Sequence, residues 1–163
     1  VCNGDVNGVG CAEVNNSGTM GNPNDLVNCY NITNFGGTAP FFLDTVRFWM
    51  GESISLPSDL SVRVWAGTVD GGASGQPLRT QNLDTYGFGE NTVQLETPLE
   101  VGTEEVCIGL FSMTLMDGLR VRTEPGNGDQ SFVQAPACGA DTFTSLEAFG
   151  ISANFCMEAF AFA

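Results

Sequence analysis

LSVRVWAG, residues 60–67, and EEVCIGLFS, residues 104–112, are the two stretches that decide the fold. Apolar residues alternate with polar or small ones in both, which is typical of a β-strand with one face in a core. The residues that share an apolar face are Leu60, Val62 and Val64 in the first stretch and Val106, Ile108 and Leu110 in the second. Both stretches therefore predict strands of a sheet with one buried side.

Further β-rich runs lie on either side of these two, separated by turns rich in Gly, Asn and Asp. We predict strands at residues 26–33, 41–50, 60–67, 78–82, 91–96, 105–113, 118–123, 131–134 and 153–163. Glycines at 71–72, 87–89 and 126–128 supply the positive-φ positions that tight reversals need. Only residues 144–149 favour a short helical turn. The fold class is all-β, an antiparallel β-sandwich, jelly-roll-like and stapled by disulfides.

The chain has 163 residues, of which 42% are hydrophobic, so it can form a single domain with a substantial core. We expect residues 1–163 to be one β-sandwich domain. The first 25 residues show no sustained period and are dense in Gly and Asn. Residues 1–25 are therefore expected to be an irregular N-terminal segment that is tied to the body.

Six cysteines occur without CxxC spacing and without any histidine, which favours disulfides over a zinc site. Fifteen pairings are possible for six cysteines. We predict Cys2–Cys11, Cys29–Cys107 and Cys138–Cys156. Because disulfides form in oxidising compartments, we expect a secreted protein, extracellular or at the cell surface. The chain has no signal peptide, so we expect the mature form.

The charge balance restricts the partners. Five arginines stand against 19 acidic residues, giving a net charge of −14. Such a surface repels phosphate backbones, so nucleic acid is not an expected partner. Anionic membranes are disfavoured for the same reason, and no apolar run is long enough for membrane insertion.

Catalytic groups are scarce. The absence of His and Lys removes the Ser-His-Asp triad, the Cys-His pair and the Schiff-base lysine. A carboxylate pair among Glu104, Glu105, Glu147 and Glu158 could in principle serve a glycosidase-type reaction, but a solvated acidic surface is the better explanation of these residues. We therefore expect no enzyme and no catalytic residues.

A cofactor is not expected, with calcium as the possible exception. Asp5 and Asn7 begin a loop that resembles a calcium-binding loop, although Val9 stands where an oxygen ligand is needed. Sites near Asp70 or Asp129 are alternatives. Asn15 and Asn31 begin sequons for N-glycosylation, a pattern that Asn-rich turns also produce by chance.

The aromatic residues that could stack on glycans are Trp49, Trp65, Tyr30 and Tyr86, and the two that we favour are Trp65 and Tyr86. Trp65 is out of phase with Val62 and Val64, so it faces away from their layer and could be exposed. The alternative is that a sandwich of this size buries its tryptophans.

The last predicted strand, residues 155–163, is apolar on both faces apart from Glu158. An unpaired edge of that kind promotes aggregation. The strand is therefore either central in a sheet or covered by another subunit. In the second case the subunit contact would be made by Phe155, Met157, Phe160 and Phe162.

A resemblance covers residues 60–162, through RVWAGTVDGG (63–72), PLRTQ (77–81), LETPLEVGTEEVCIGLFS (95–112) and SFVQAPACGADTFTSLEAFGISANFCMEAFAF (131–162). The order of these segments resembles small β-sandwich modules of secreted bacterial peptidases and adhesins. The resemblance implies a non-catalytic accessory or surface module.

Together these features predict a secreted structural protein. Its β-sandwich subunits would self-assemble as a homo-oligomer or filament, or as a surface layer, by burying apolar strand surface. The alternative is a carbohydrate-binding or adhesion module whose partner is a polysaccharide.

Overall fold

The structure is a computed structural model of the chain. It describes residues 23–52, 56–113 and 119–163, together with the backbone of residues 5–9. Within these ranges every regular element longer than one turn is a strand. Three short 3-10 turns complete the secondary structure, at Ile32–Phe35, Pro136–Cys138 and Glu147–Phe149. None of these turns has the length or the hydropathy to cross a membrane.

Two antiparallel sheets face each other, as the alternating pattern predicts. Counting the described residues only, the first sheet contains six strands, which are β1 (Asp5–Val9), β3 (Phe41–Met50), β7 (Gly89–Val101), β9 (Val121–Pro125), β12 (Ala153–Phe155) and β13 (Met157–Phe162). On the same count the second contains seven, which are β2 (Asn24–Asn31), β4 (Ser61–Thr68), β5 (Gly72–Ala73), β6 (Arg79–Asn82), β8 (Glu105–Ser112), β10 (Ser131–Ala135) and β11 (Ala140–Ser145).

Long-range pairing holds each sheet together. In the second sheet β8 lies between β2 and β4, and β10 pairs with the other side of β2. In the first sheet β3 pairs with β7 on one side and β13 on the other, while β9 pairs with β1 and β12. Nearly every strand therefore depends on a partner that is distant in the sequence.

The main core fills the space between the sheets. The predicted apolar faces of β4 and β8 are confirmed, because all six residues named for them lie in this core. Opposite them, β3 contributes Phe41, Leu43, Val46 and Phe48, each 3% exposed or less. At about 25 cal/mol per Å² of apolar surface, this burial is the main stabilising term.

A second apolar cluster covers the outer face of the second sheet. It is built around the Cys29–Cys107 disulfide, which joins directly paired residues of β2 and β8 and confirms that predicted bridge. Trp65 and Phe132 pack here, with Phe143 against the Trp65 ring at 5.6 Å between centroids. A strand whose two faces are both covered does not alternate between core and solvent. The sequence period alone therefore cannot show that the outer face is buried.

Trp65 is therefore wrong as an exposed stacking residue. It does face away from Val62 and Val64, as its phase predicts, but it is only 2% exposed because the second cluster encloses it. No sugar can reach the ring in this conformation.

Several local expectations also differ from the structure, among them the strand predicted at 91–96, which extends over Gly89–Val101. Residues 5–9 form β1 within the segment expected to be irregular, and β2 begins at Asn24, before residue 25. The helical turn expected at 144–149 is shorter, because residues 140–145 pair with β10 as β11 and only Glu147–Phe149 form a 3-10 turn.

Candidate binding surface at the edge of the first sheet

Strands β12 and β13 form one edge of the first sheet. β12 pairs with β9 and β13 pairs with β3, and in the described part of the chain neither strand has a partner on its other side. In the sheet formed by the described strands, β13 is therefore an edge strand and not a central one. An edge strand presents backbone groups to whatever lies beside it.

Part of this edge is closed by polar side chains from the second sheet. Asn28 Nδ2 donates to Phe155 O at 2.8 Å, and Ser131 Oγ accepts from Phe155 N at 2.9 Å. The Tyr30 hydroxyl donates to Met157 O at 2.6 Å. Ser131 Oγ also donates to Asn28 Oδ1 at 2.6 Å, so the network is continuous. It ties the edge strand to β2 and β10 across the sandwich.

The network ends before Ala159. The Trp49 N–H bonds to Cys156 O at 3.1 Å, so the backbone of Cys156 faces β3. Backbone groups alternate sides along a strand, which places those of Phe155 and Met157 on the open side. The register runs without a shift from Met157 to Phe160. The N–H and C=O of Ala159 therefore also face the open side, where no described strand pairs with them.

An apolar groove of about 540 Å³ lies along this open edge. Its walls come from the inner sides of both sheets and from the 3-10 turn that follows β2. The lining residues are Tyr30, Ile32, Phe35, Gly37, Phe41, Leu43, Val106, Glu124, Met157, Glu158, Ala159, Phe160 and Ala161. A volume of this size is within the range of small-ligand and peptide pockets. We call this feature the edge groove.

The charge at the edge groove is negative. Its two charged lining residues are Glu124 and Glu158, and none of the lining residues is basic. Glu158 pairs with Arg47 at 3.4 Å, whereas Glu124 makes no ion pair with any described residue. Burial raises the pKa of the Tyr30 phenol, and the Glu158 and Glu124 carboxylates raise it further. The ring of Tyr30 thus stays neutral and faces an acidic rim.

A patch of exposed aromatic rings lies at the end of β13. Phe162 stacks on Phe42 with 5.5 Å between ring centroids, and the Arg47 guanidinium lies 4.9 Å from the centre of the Phe160 ring. Phe160 is 43% exposed and Phe162 50%. Arg47 is itself bonded to Glu158 and lies 3.7 Å from Glu90. We call Phe42, Phe160 and Phe162 the aromatic patch.

The four predicted subunit-contact residues divide into two pairs. Phe160 and Phe162 are exposed and available to a partner. Phe155 and Met157 are wrong as contact residues, because they are 0% and 5% exposed and belong to the main core. Both faces are apolar because Phe155, Cys156 and Met157 are buried in two different clusters, whereas the rings of Phe160 and Phe162 are exposed.

Tyr86, the other predicted stacking residue, is half-buried, and its hydroxyl donates to Pro57 O. Burial raises the pKa of this phenol, with a contribution from Asp59. Stacking of a sugar on Tyr86 stays a prediction.

Asn31 caps the 3-10 turn beside the edge groove. Its Oδ1 accepts from Thr33 N at 3.0 Å and its Nδ2 donates to Glu105 at 3.3 Å. Glycosylation at Asn31 stays a prediction, and Asn15 lies outside the described residues. The side chains of Asp5 and Asn7 are also outside them. Among the side chains that are described, no three acidic, cysteine or histidine residues cluster as metal ligands.

Cys138 and Cys156 are each disulfide-bonded, and the described part of the chain contains no free thiol. The pairing of Cys138 with Cys156 stays a prediction. The predicted Cys2–Cys11 bridge lies outside the described residues.

Sequence reasoning considered Tyr30 only as a ring that could stack on a sugar, and it missed the edge groove and with it Phe35 and Glu124. Tyr30 and Phe35 come from β2 and the turn that follows it, whereas Glu124 comes from β9, which is remote from both in sequence. The one available signal was the asymmetry of residues 155–163, where an acidic residue interrupts an apolar run.

Comparisons with known proteins identify the fold. The sequence matches no protein-family model and no curated protein. The structure is similar to a solved structure described as the cysteine protease and lectin-like domains of Cwp84, a surface layer associated protein of Clostridium difficile, with a TM-score of 0.63 and 13% identity. The match covers 87% of this chain and 32% of that one. The chain thus spans about a third of that protein's length and shares with it an all-β domain fold.

Proposed function

We propose that the protein is an extracellular surface module that works by contact rather than catalysis, and that its copies associate through the aromatic patch. The observation that carries the proposal is the exposure of Phe160 and Phe162 on an edge strand. Proteins that remain monomers usually keep such edges short, charged or covered. The likeness to a surface-layer-associated protein supports a role at the cell surface.

Electrostatics favour this part of the surface for contact between copies. A chain with a net charge of −14 repels its own copies over most of its area. At the aromatic patch, Arg47 lies between Glu90 and Glu158 and offsets part of their charge. Removing water from the apolar rings and the partly neutralised carboxylates beside them costs less free energy than removing water from isolated carboxylates.

Light scattering coupled to size exclusion tests the association, with Phe162→Ser as the variant. We expect the wild type to increase in mass with concentration and the variant to remain a monomer. Phe88→Ser is the matched control, because Phe88 is 47% exposed and does not belong to the patch. A wild type that stays monomeric at millimolar concentration contradicts self-association. Turnover of any substrate by the purified polypeptide contradicts the non-catalytic role.

A carbohydrate-binding or adhesion module is the second candidate. It is supported by the lectin-like domain in the structural match. Partly exposed rings such as Tyr86 and the stacked pair of Phe42 and Phe162 are suitable for stacking on sugars. A glycan array with wild type, Tyr86→Ala and Phe162→Ser distinguishes this role from self-assembly. Binding that either variant loses, in a protein that stays monomeric, favours the second candidate.

A further inference from the structure

We propose that the edge groove binds an extended, positively charged peptide segment of a partner protein, which adds a strand beside β13. The edge groove overlaps the aromatic patch at Phe160 and at no other lining residue. Peptide binding in the edge groove does not depend on self-association through the patch.

The backbone of β13 supplies the first argument. An extended peptide recognises a sheet edge through main-chain hydrogen bonds and places alternate side chains in adjacent pockets. At Phe155 and Met157 the side chains of Asn28, Ser131 and Tyr30 already occupy the open side. One residue pair further on, Ala159 leaves its backbone groups facing the groove. With respect to the described residues, the strand is therefore anchored at one end and open at the other.

The lining supplies the second argument. Most of the edge groove consists of aliphatic and aromatic side chains, and the hydroxyl of Tyr30 is already engaged with Met157 O and Asn28 Nδ2. A sugar needs many polar partners, and these walls offer few. The apolar side chains of an extended peptide match both the walls and the open backbone.

Charge supplies the third argument and selects the kind of peptide. Glu124 lines the edge groove without an ion pair among the described residues, and the chain as a whole is strongly acidic. A lysine or arginine next to the apolar side chains of the peptide would pair with Glu124. A second copy of this chain, with 5 arginines against 19 acidic residues, is a poor source of such a segment.

The proposal is tested with a random library of nine-residue peptides displayed on phage. The library is selected for binding to the wild-type protein. We expect enriched sequences to alternate apolar residues and to contain Lys or Arg. The best peptide is then synthesised and its Kd is measured against variants of the edge groove. An N-methylated form of that peptide, which cannot form the backbone ladder, should bind at least tenfold more weakly.

Three variants test the three arguments. Ala159→Pro removes an N–H that faces the groove and takes no part in the pairing with β3, so the strand should keep its place. Glu124→Lys reverses the rim charge, with Glu96→Lys as the matched exposed control. Phe35→Ser removes a 75% exposed wall residue at little risk to folding, with Phe88→Ser as its control. Each groove variant should raise the Kd about tenfold or more, and the controls less than twofold.

Several outcomes overturn the proposal. They are the absence of any enriched peptide, a peptide Kd of Ala159→Pro and Phe35→Ser equal to that of the wild type, and enrichment of acidic peptides. Association between copies that Ala159→Pro abolishes would make a second copy the occupant and would also overturn it. Because Phe162→Ser tests self-association and Phe35→Ser tests peptide binding, failure of one proposal is distinguishable from failure of the other.

Discussion

Asp25 is a buried carboxylate whose environment disfavours its charge. It lies on β2, 7% exposed, with Arg63 Nη1 at 3.3 Å, and the Arg63 guanidinium also lies 3.4 Å from the centre of the Phe111 ring. Burial raises the pKa of the Asp25 carboxyl to about 6, although Arg63 acts in the opposite direction. The ion pair thus only partly compensates for the loss of water around the carboxylate.

The pH dependence of stability follows from that pKa. The folded-state value of about 6 lies above the unfolded value of 3.8, so the folded state binds the proton more tightly. The resulting stabilisation is fully present below pH 3.8 and is lost as the pH rises through 6. When the pH is lowered from 7 to 4, the free energy of unfolding of the wild type should rise by about 2 kcal/mol relative to that of Asp25→Asn.

Urea unfolding of both proteins at pH 4 and pH 7 measures this difference. Glu96→Gln, which removes one exposed negative charge, controls for the change in net charge. If the free energy of unfolding changes between pH 4 and pH 7 by the same amount in the wild type and in Asp25→Asn, then the pKa of Asp25 is the same in the folded and the unfolded state.

At the scale of elements, the link between β12, β13 and the second sheet depends on a small polar network. Asn28 is 5% exposed and Ser131 is fully buried, and both bond to the backbone of Phe155. Replacing either one leaves buried polar groups without partners, which costs more than the hydrogen bond itself contributes.

A double-mutant cycle tests this network. Asn28→Ala and Ser131→Ala should each lower the free energy of unfolding by about 2 kcal/mol. Their coupling energy should be about 1 kcal/mol, since each side chain is a partner of the other. Thr92→Ala on the exposed side of β7 is the control and should change stability little. Strictly additive effects would mean that the two side chains act independently.

The sequence predicts strands well where one face is apolar and turns are marked by glycine. The strand at residues 41–50 has its predicted bounds, and β4 and β8 differ from theirs by one residue at the ends. Three short strands were missed, which are β1, β5 with two residues, and β11, whose alternation is interrupted by Thr142 and Thr144. Such strands form because neighbours pair with them, a tertiary effect that local pattern does not contain.

The position of a strand within its sheet is not encoded locally either. Residues 155–163 have the apolar composition of a central strand, yet among the described strands β13 lies at an edge, and the edge groove lies on its open side. Trp65 shows the converse, since its phase predicts an outward direction and only the second cluster decides its burial. Both cases depend on contacts between residues far apart in the chain, as does the Cys29–Cys107 bridge across 78 residues.

At the scale of the whole molecule, net charge and the aromatic patch oppose each other. Each copy carries −14, so association at low salt brings two strongly acidic surfaces together. The Debye length falls from about 30 Å at 0.01 M salt to about 3 Å at 1 M, which screens repulsion between exposed charges. Burial of the Phe160 and Phe162 rings, by contrast, does not depend on screening.

Self-association should therefore increase with salt. Light scattering of the wild type in 0.01, 0.1 and 1 M NaCl should show the midpoint of association moving to lower protein concentration by tenfold or more. Phe162→Ser should show no association at any of these concentrations, because screening removes a barrier but supplies no attraction. The opposite trend, dissociation as salt is added, would mean that ion pairs hold the copies together. The contact would then have to be sought around the five arginines rather than at the aromatic patch.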